Sequence, residues 1–231
     1  MKYPEPEACS APFDFPDVSQ ALKEPNGLLA VGGQLAPQAL LQAYRQGIFP
    51  WYSEGQPILW WSPDPRMVLY PEEIRVSRSL RRSFNRGGWR LSMDEAFAAV
   101  IRACAFSREG DPGTWITPAM MAAYIRLHDL GWAHSVEVWR QGELVGGLYG
   151  MAIGRVFFGE SMFHRYSNAS KVAIVGLCRW LQKWRYALID CQVRTEHLAS
   201  LGAEEISRSR FIRMIQHGCD DTPSPDAWEA V

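Results

Sequence analysis

The sequence predicts an α+β fold built on a mixed sheet, and three observations carry that expectation. Residues 134–139, 143–151 and 155–163 are strand candidates joined at Gln141-Gly142 and Ile153-Gly154, the chemistry of tight antiparallel hairpins. A helical pattern over residues 169–184 follows, opened by Asn168 and carrying Val172, Val175, Leu177 and Leu181. The chain then enters a further apolar run at residues 187–193, giving the order strand, strand, strand, helix, strand. With 231 residues and 47% hydrophobic content there is ample material for a packed core and one or two domains.

The remaining elements follow from local signals. Residues 1–34 hold Pro4, Pro6, Pro12, Pro16 and Pro25 among acids and glycines, and read as loops and short turns. Pro37 opens a helix bearing Leu40, Leu41 and Tyr44, which Gly47 stops. Phe49, Pro50, Trp51, Tyr52, Trp60 and Trp61 then form the densest aromatic stretch. It serves either as a seam between a small N-terminal module and the main domain or as a wall for flat ligands. Ser92 and Glu95 read as a capping box before a core helix with Phe97, Val100, Ile101 and Cys104. Thr117 and Pro118 open another helix, with Met121, Tyr124, Ile125 and His128 on its buried stripe and Gly131 at its end. His128 on that stripe reads as a satisfied core histidine. After Ser207 a final helix carries Phe211, Met214 and Ile215.

Composition narrows the chemistry. Five cysteines, none in a Cys-x-x-Cys pair, argue against a disulfide framework or a zinc site. The five histidines form no metal-binding helical pair, and no phosphate-binding or dinucleotide glycine motif occurs. No metal and no cofactor is expected. Neither a signal peptide nor a membrane span is readable, so the expectation is a cytoplasmic chain without a membrane partner. Net charge is −1, yet residues 75–90 contain six arginines and no acid. Arg75, Arg78, Arg81, Arg82, Arg86 and Arg90 make either a solvated face or a strip that grips phosphates.

One stretch breaks the usual pattern. In an extended run over residues 187–193, Leu188, Asp190 and Gln192 share one face, about 7 Å apart in successive pairs. Two readings fit: a polar strand end facing water, or a carboxylate and a carboxamide meeting one ligand group.

The order of elements is similar to the core of acyl-CoA N-acyltransferases. Those enzymes hold a pyrophosphate on a glycine-rich turn at the start of the helix after the third strand. Here that turn is His164-Arg165-Tyr166-Ser167-Asn168-Ala169-Ser170-Lys171, without glycine. The expected acyl carrier is therefore something other than coenzyme A.

Several segments together resemble the bacterial leucyl/phenylalanyl-tRNA-protein transferases. They are Glu24-Pro25-Asn26-Gly27-Leu28-Leu29, Gly47-Ile48-Phe49-Pro50-Trp51, Trp60-Trp61-Ser62-Pro63-Asp64-Pro65-Arg66, Thr114-Trp115-Ile116, Gly159-Glu160-Ser161-Met162-Phe163 and Leu188-Ile189-Asp190-Cys191-Gln192. The resemblance spans most of residues 20–217. It implies a small N-terminal domain, residues 1–66, and a larger acetyltransferase-like (GNAT-like) catalytic domain, residues 67–231, with a mixed antiparallel and parallel sheet. It further implies a cytoplasmic monomer, free of metal and coenzyme, that moves Leu or Phe from aminoacyl-tRNA to proteins beginning with Arg or Lys and so marks them for degradation. A coenzyme-A-dependent N-acyltransferase and a noncatalytic tRNA-binding module are the alternatives.

By the same resemblance Asp190 and Gln192 are the catalytic pair and Glu160 is an active-site acid. The chemistry of the pair has Asp190 orient Gln192 and pass a proton through it, unless the ribose hydroxyl of the substrate shuttles that proton. Tyr44, Trp51, Trp115 and Tyr124 surround the aminoacyl-adenosine. Phe157, Met162, Ile174 and Ile189 line the side-chain pocket, with Leu148 and Leu177 where larger Met and Phe are expected. Arg75, Arg78, Arg81, Arg82 and Arg86 bind tRNA. The loop at residues 108–114 looks longer than in relatives. Because Phe157 and Glu160 differ in strand parity, a bulge at Gly159 is needed to bring both to one site.

Overall fold

The computed structural model describes residues 14–86, 88–106, 115–221 and 227–228. The loop at residues 108–114 lies outside the described residues, as do Cys9 and the side chain of Arg86.

Near the N-terminus, β1 (Leu28–Val31) leads to α1 (Pro37–Arg45), β2 (Phe49–Pro50) and β3 (Leu59–Trp61), and the strands form a small sheet in the order β1-β3-β2. Pro37 stands at the first turn of α1, and Gly47 turns the chain out of it with φ +74°. There follow β4 (Arg66–Leu69), α2 (Arg78–Arg86), β5 (Arg90–Met93), α3 (Phe97–Phe106) and α4 (Pro118–Asp129). The hairpins come next as β6 (Ala133–Arg140), β7 (Glu143–Ile153) and β8 (Val156–His164). The chain closes with α5 (Ala169–Lys183), β9 (Leu188–Gln192), α6 (Glu196–Ala199), β10 (Glu204–Ile206) and α7 (Arg208–Asp220).

The larger sheet runs β10-β4-β9-β8-β7-β6-β5, and its neighbours are antiparallel except β8 and β9. It is the mixed α+β sheet that the element order predicts. One face packs on α3, α4 and α7 through Val100, Tyr124, Phe158 and Phe211, joined by Tyr44, Phe49 and Trp60 from the N-terminal part. The other packs on α5 through Phe157, Ile174, Leu177 and Ile189.

Two departures from the sequence reading have clear causes. Ser92 is not a helix cap: it lies on β5 opposite Glu137 of β6, and its hydroxyl donates to Glu137 Oε2 at 2.6 Å. The long-range strand pairing outcompetes the local capping pattern, and the Ala96 N–H beside α3 meets Glu137 Oε1 at 3.4 Å. Asn168 stands at the start of α5 but makes no side-chain cap, since its backbone is left-handed with φ +69°. By contrast, Thr117 and Ser207 accept the N–H groups of Met120 and Arg210 as caps do. His128 stacks on Phe97 at 4.3 Å, and its Nδ1 lies 2.8 Å from the Ala133 carbonyl, so it is satisfied but only partly buried; the buried stripe of α4 is Met120, Tyr124 and Leu127, not the one expected at Met121, Ile125 and His128.

Candidate active site

The parallel pairing of β8 with β9 spans only three residue pairs, from Val156↔Leu188 to Phe158↔Asp190. Beyond it the strands part, and the gap is a cavity of about 440 Å³. Its walls come from residues 159–162 of β8, from Ile189, Cys191 and Gln192 of β9, and from Ser170, Ile174 and Leu177 of α5. Phe157, Leu148, Ile174, Leu177 and Ile189 are buried and form its apolar depth, with Met162 beside them. Trp51, 42% exposed, and Trp115 stand at the outer edge with Val193.

Two bulges shape this gap. Pairing with β7 steps from Tyr149↔Ser161 to Gly150↔Gly159, which leaves Glu160 as the extra residue on β8. The bulge expected at Gly159 is thus present, and Phe157 and Glu160 both line the cavity. Gly150 permits it: a Cβ there would lie 2.2 Å from the Phe158 carbonyl oxygen. On β9, pairing with β4 steps from Met67↔Gln192 to Val68↔Asp190, which skips Cys191.

The second bulge corrects the expectation that Asp190 and Gln192 share a face. Gln192 has φ +56°, so the regular alternation ends before it. Asp190 points to the face of Phe158 and is wholly buried, while Gln192 turns into the cavity wall, which Asp190 does not line. Asp190 also makes no hydrogen bond to the Gln192 carboxamide, whose Nε2 lies near Glu160. Its Oδ1 accepts the Gln192 main-chain N–H at 3.0 Å and Arg66 Nε at 2.8 Å, and its Oδ2 accepts Arg66 Nη2 at 2.7 Å.

Glu160 is the acid that faces the cavity. Tyr44 donates to its Oε1 at 2.6 Å and Tyr124 to its Oε2 at 3.0 Å, while Gln192 Nε2 lies 3.4 Å from Oε1. The two tyrosine hydroxyls also touch each other. Burial lifts the Glu160 carboxyl from an ordinary 4.5 to about 7; the tyrosine hydrogen bonds oppose the rise, nearby Asp190 adds to it and Arg66 subtracts. Burial and the Glu160 charge raise both tyrosines well above their usual value, so they remain donors. Tyr44 and Tyr124, expected around a ligand, are wholly buried and do not line the cavity; they reach it only through their hydrogen bonds to Glu160.

Chemically, the arrangement offers a carboxyl that changes charge near neutrality, a carboxamide beside it, an apolar recess and aromatic faces at the rim. Sequence reasoning missed Arg66 and His197. Arg66 could have been found as a lone charge heading the apolar run Met67-Val68-Leu69. His197 lines the cavity, with its pKa lowered by burial and by Lys171 and His164. Among the described residues no group of three His, Cys, Asp or Glu is placed to hold a metal ion, and no helix is long and apolar enough to cross a membrane.

The arginine strip proves to be mostly helix. Arg78, Arg81 and Arg82 are exposed on α2, Arg75 is exposed just before it, and Leu80 anchors the helix. Arg90 differs: it lies on β5, pairs with Glu95 at 2.7 Å and stacks on Trp139.

Residues 68–216 match the family model of the leucyl/phenylalanyl-tRNA protein transferase, and residues 33–64 match the model of its N-terminal domain. The leucyl/phenylalanyl-tRNA-protein transferase of Aromatoleum aromaticum is 59% identical over 215 residues, covering 93% of this chain and 91% of that one. The enzyme of the same name from Chromohalobacter salexigens is 60% identical over 217 residues, covering 94% and 85%. Among solved structures, a GCN5-related N-acetyltransferase from Kribbella flavida matches with TM-score 0.39 and 12% identity, covering 74% of this chain and 61% of that one.

Proposed function

The chain belongs to the leucyl/phenylalanyl-tRNA-protein transferase family, and on that premise we propose how its cavity performs the transfer. It takes Leu or Phe, and less well Met, from aminoacyl-tRNA and joins it to the N-terminal Arg or Lys of an acceptor protein, which tags the acceptor for degradation. The protein works as a cytoplasmic monomer, with residues 1–66 as a small domain and residues 67–231 as the catalytic one.

The observation that carries this reading is the joining of an apolar recess to Glu160 and Gln192 at one wall of the same cavity. The recess formed by Leu148, Phe157, Met162, Ile174, Leu177 and Ile189 holds the transferred side chain and has no charge to pair with a polar one. Trp51 and Trp115 flank the aminoacyl-adenosine, whose base stacks on aromatic faces. Arg75, Arg78, Arg81, Arg82 and Arg86 meet the phosphates of the tRNA.

The ester is already activated, so the site has little covalent work. An α-amino group has a pKa of about 8, and Glu160, held at about 7, is matched to receive its proton. Gln192 holds the attacking amine or the ester region. The new C–N bond forms as the ester C–O bond breaks, and the proton passes to the departing ribose hydroxyl. Positioning of this kind supplies ~7 kcal/mol or more in favourable cases. The direct test mixes the protein with Phe-tRNA and a peptide beginning with Arg. Addition of one Phe residue, read by mass, is the expected result; an unchanged peptide would overturn the reading.

A further inference from the structure

We propose that Arg66 is a positioning residue of the transfer site, acting through Asp190 to hold the Gln192 main chain and through Gly47 to hold the Tyr44 support of Glu160. The proposal rests on the reading that Gln192 and Glu160 face the substrates, and it assigns Asp190 the task of a hydrogen-bond acceptor in place of a proton carrier.

The geometry is that of a hub. Arg66 is wholly buried, and all three guanidinium nitrogens are used. Nε and Nη2 form a two-pronged contact with Asp190 at 2.8 and 2.7 Å, and Nη1 donates to the Gly47 carbonyl at 3.1 Å. Its guanidinium carbon lies over the rings of both Phe49 and Phe211, at 4.8 and 4.6 Å from their centroids. Phe49 in turn lines the cavity.

Each prong leads through its partner toward a residue of the cavity wall. Asp190 Oδ1 also accepts the Gln192 N–H, where the chain adopts φ +56°. A residue other than glycine pays of order 1–3 kcal/mol for such a conformation and keeps it only when its surroundings fix it. That backbone turn, next to the skipped Cys191, brings the carboxamide to 3.4 Å from Glu160 Oε1. On the other side, the Gly47 N–H donates to the Tyr44 carbonyl at 3.0 Å, and the Tyr44 hydroxyl donates to Glu160. One guanidinium therefore sets the separation of Gln192 from Glu160. A lysine has the same charge but neither the fork nor the flat faces.

With both Asp190 oxygens committed and no Asp190 atom in the cavity wall, no step of proton transfer needs this carboxylate. A merely structural ion pair would alter stability alone, so the test must read catalysis separately.

The experiment compares the full-length parent with Arg66→Lys and Asp190→Asn, using Phe-tRNA and an Arg-peptide. Arg66→Lys is expected to cut kcat about 10- to 100-fold, with the KM for Phe-tRNA changed less than about threefold, while the pH midpoint near 7 persists. Asp190→Asn, which keeps an acceptor oxygen but removes a charge that raises the Glu160 carboxyl, should retain part of kcat and a pH midpoint lying below the parent's. Amide exchange supplies a second reading: the Gln192 N–H is protected in the parent and loses protection in Arg66→Lys. That reading stands on the parent even if a variant folds poorly, because a freely exchanging parent amide would overturn the proposal. Parental kcat in Arg66→Lys, or loss of the pH midpoint in Asp190→Asn, would do so as well. A parent that transfers nothing would instead sink the function, and the role of Arg66 with it.

Discussion

Arg66 and Asp190 form a two-pronged ion pair, at 2.8 and 2.7 Å, in which both side chains are completely shielded from solvent. The pair joins the head of β4 to the middle of β9 beneath the wall that carries Gln192 and Glu160. Withdrawing two charges from water is costly, and the fork recovers that cost only while both partners are present.

Asp190→Ala should therefore damage the fold as well as the reaction. Removing one member of a buried pair costs about 3–5 kcal/mol, because the other is left uncompensated. Urea unfolding should show that loss. An Asp190→Ala protein with parental stability but no transfer would point to a direct chemical role for the carboxylate.

Glu160 should give transfer a midpoint near pH 7, because the carboxylate form accepts the proton of the amine. Rates rise with pH through that midpoint, and Glu160→Gln should lose about 100-fold together with the midpoint. Stability runs the other way. The folded-state pKa of about 7 lies above the ordinary 4.5, so the stabilising contribution is complete below pH 4.5 and is lost as pH rises through 7. The fall is on the order of 3 kcal/mol, and Glu160→Gln should abolish it. Unfolding measured at pH 5 and pH 8 in both proteins decides the matter; equal slopes would mean that burial does not hold the proton on Glu160.

The recess should select by shape and lack of charge. One methylene in an apolar pocket discriminates by about 1–3 kcal/mol, so Leu, Phe and Met are accepted. Asp and Lys are refused, since a charge set among Phe157, Ile174 and Ile189 would have no partner in that wall. Leu177→Phe, which narrows the recess from α5, should depress Phe transfer more than Leu transfer. Competition among charged tRNAs measures each ratio; rapid transfer of Lys would contradict this assignment of the recess.

The sheet was legible because its signals are local. Gln141-Gly142 and Ile153-Gly154 turn the hairpins, and Thr117, Pro118 and Ser207 start helices whose caps form as expected. Strand β5 was not, since Ser92 answers to Glu137 on another strand. Helix α2 was hidden by its arginines, with Leu80 and Phe84 too few to show a period. At the site, strand parity together with the family resemblance flagged a bulge at Gly159, and the register leaves the next residue, Glu160, as the extra one. The slip at Cys191 left no such mark, because a bulge is fixed by the partner strand and β4 decides which residue of β9 is skipped. That single slip turned Gln192 into the cavity wall and left Asp190 on the opposite face, where the residue it answers to is Arg66, silent in the pattern.

The exposed arginines of α2 should govern how the protein meets the whole tRNA and have little effect on the chemistry at its end. Arg78, Arg81 and Arg82 project from a helix without an acid, on a chain whose net charge is −1, so attraction to a polyanion has to be local. Phosphate contacts carry a steep salt dependence, with a log-log slope of ~0.9 per neutralised phosphate on duplex DNA, and little sequence information. Arg78→Ala with Arg82→Ala should raise the KM for Phe-tRNA several-fold at low salt and flatten its salt response by up to about two units of that slope. A minimal aminoacyl-adenosine donor such as puromycin does not extend to the helix and should lose much less. Mutant-to-parent rate ratios for the two donors across a salt series separate the cases. Equal losses on both would mean that α2 supports the fold through Leu80 and the Phe84–Arg179 stack, and that the tRNA is gripped elsewhere.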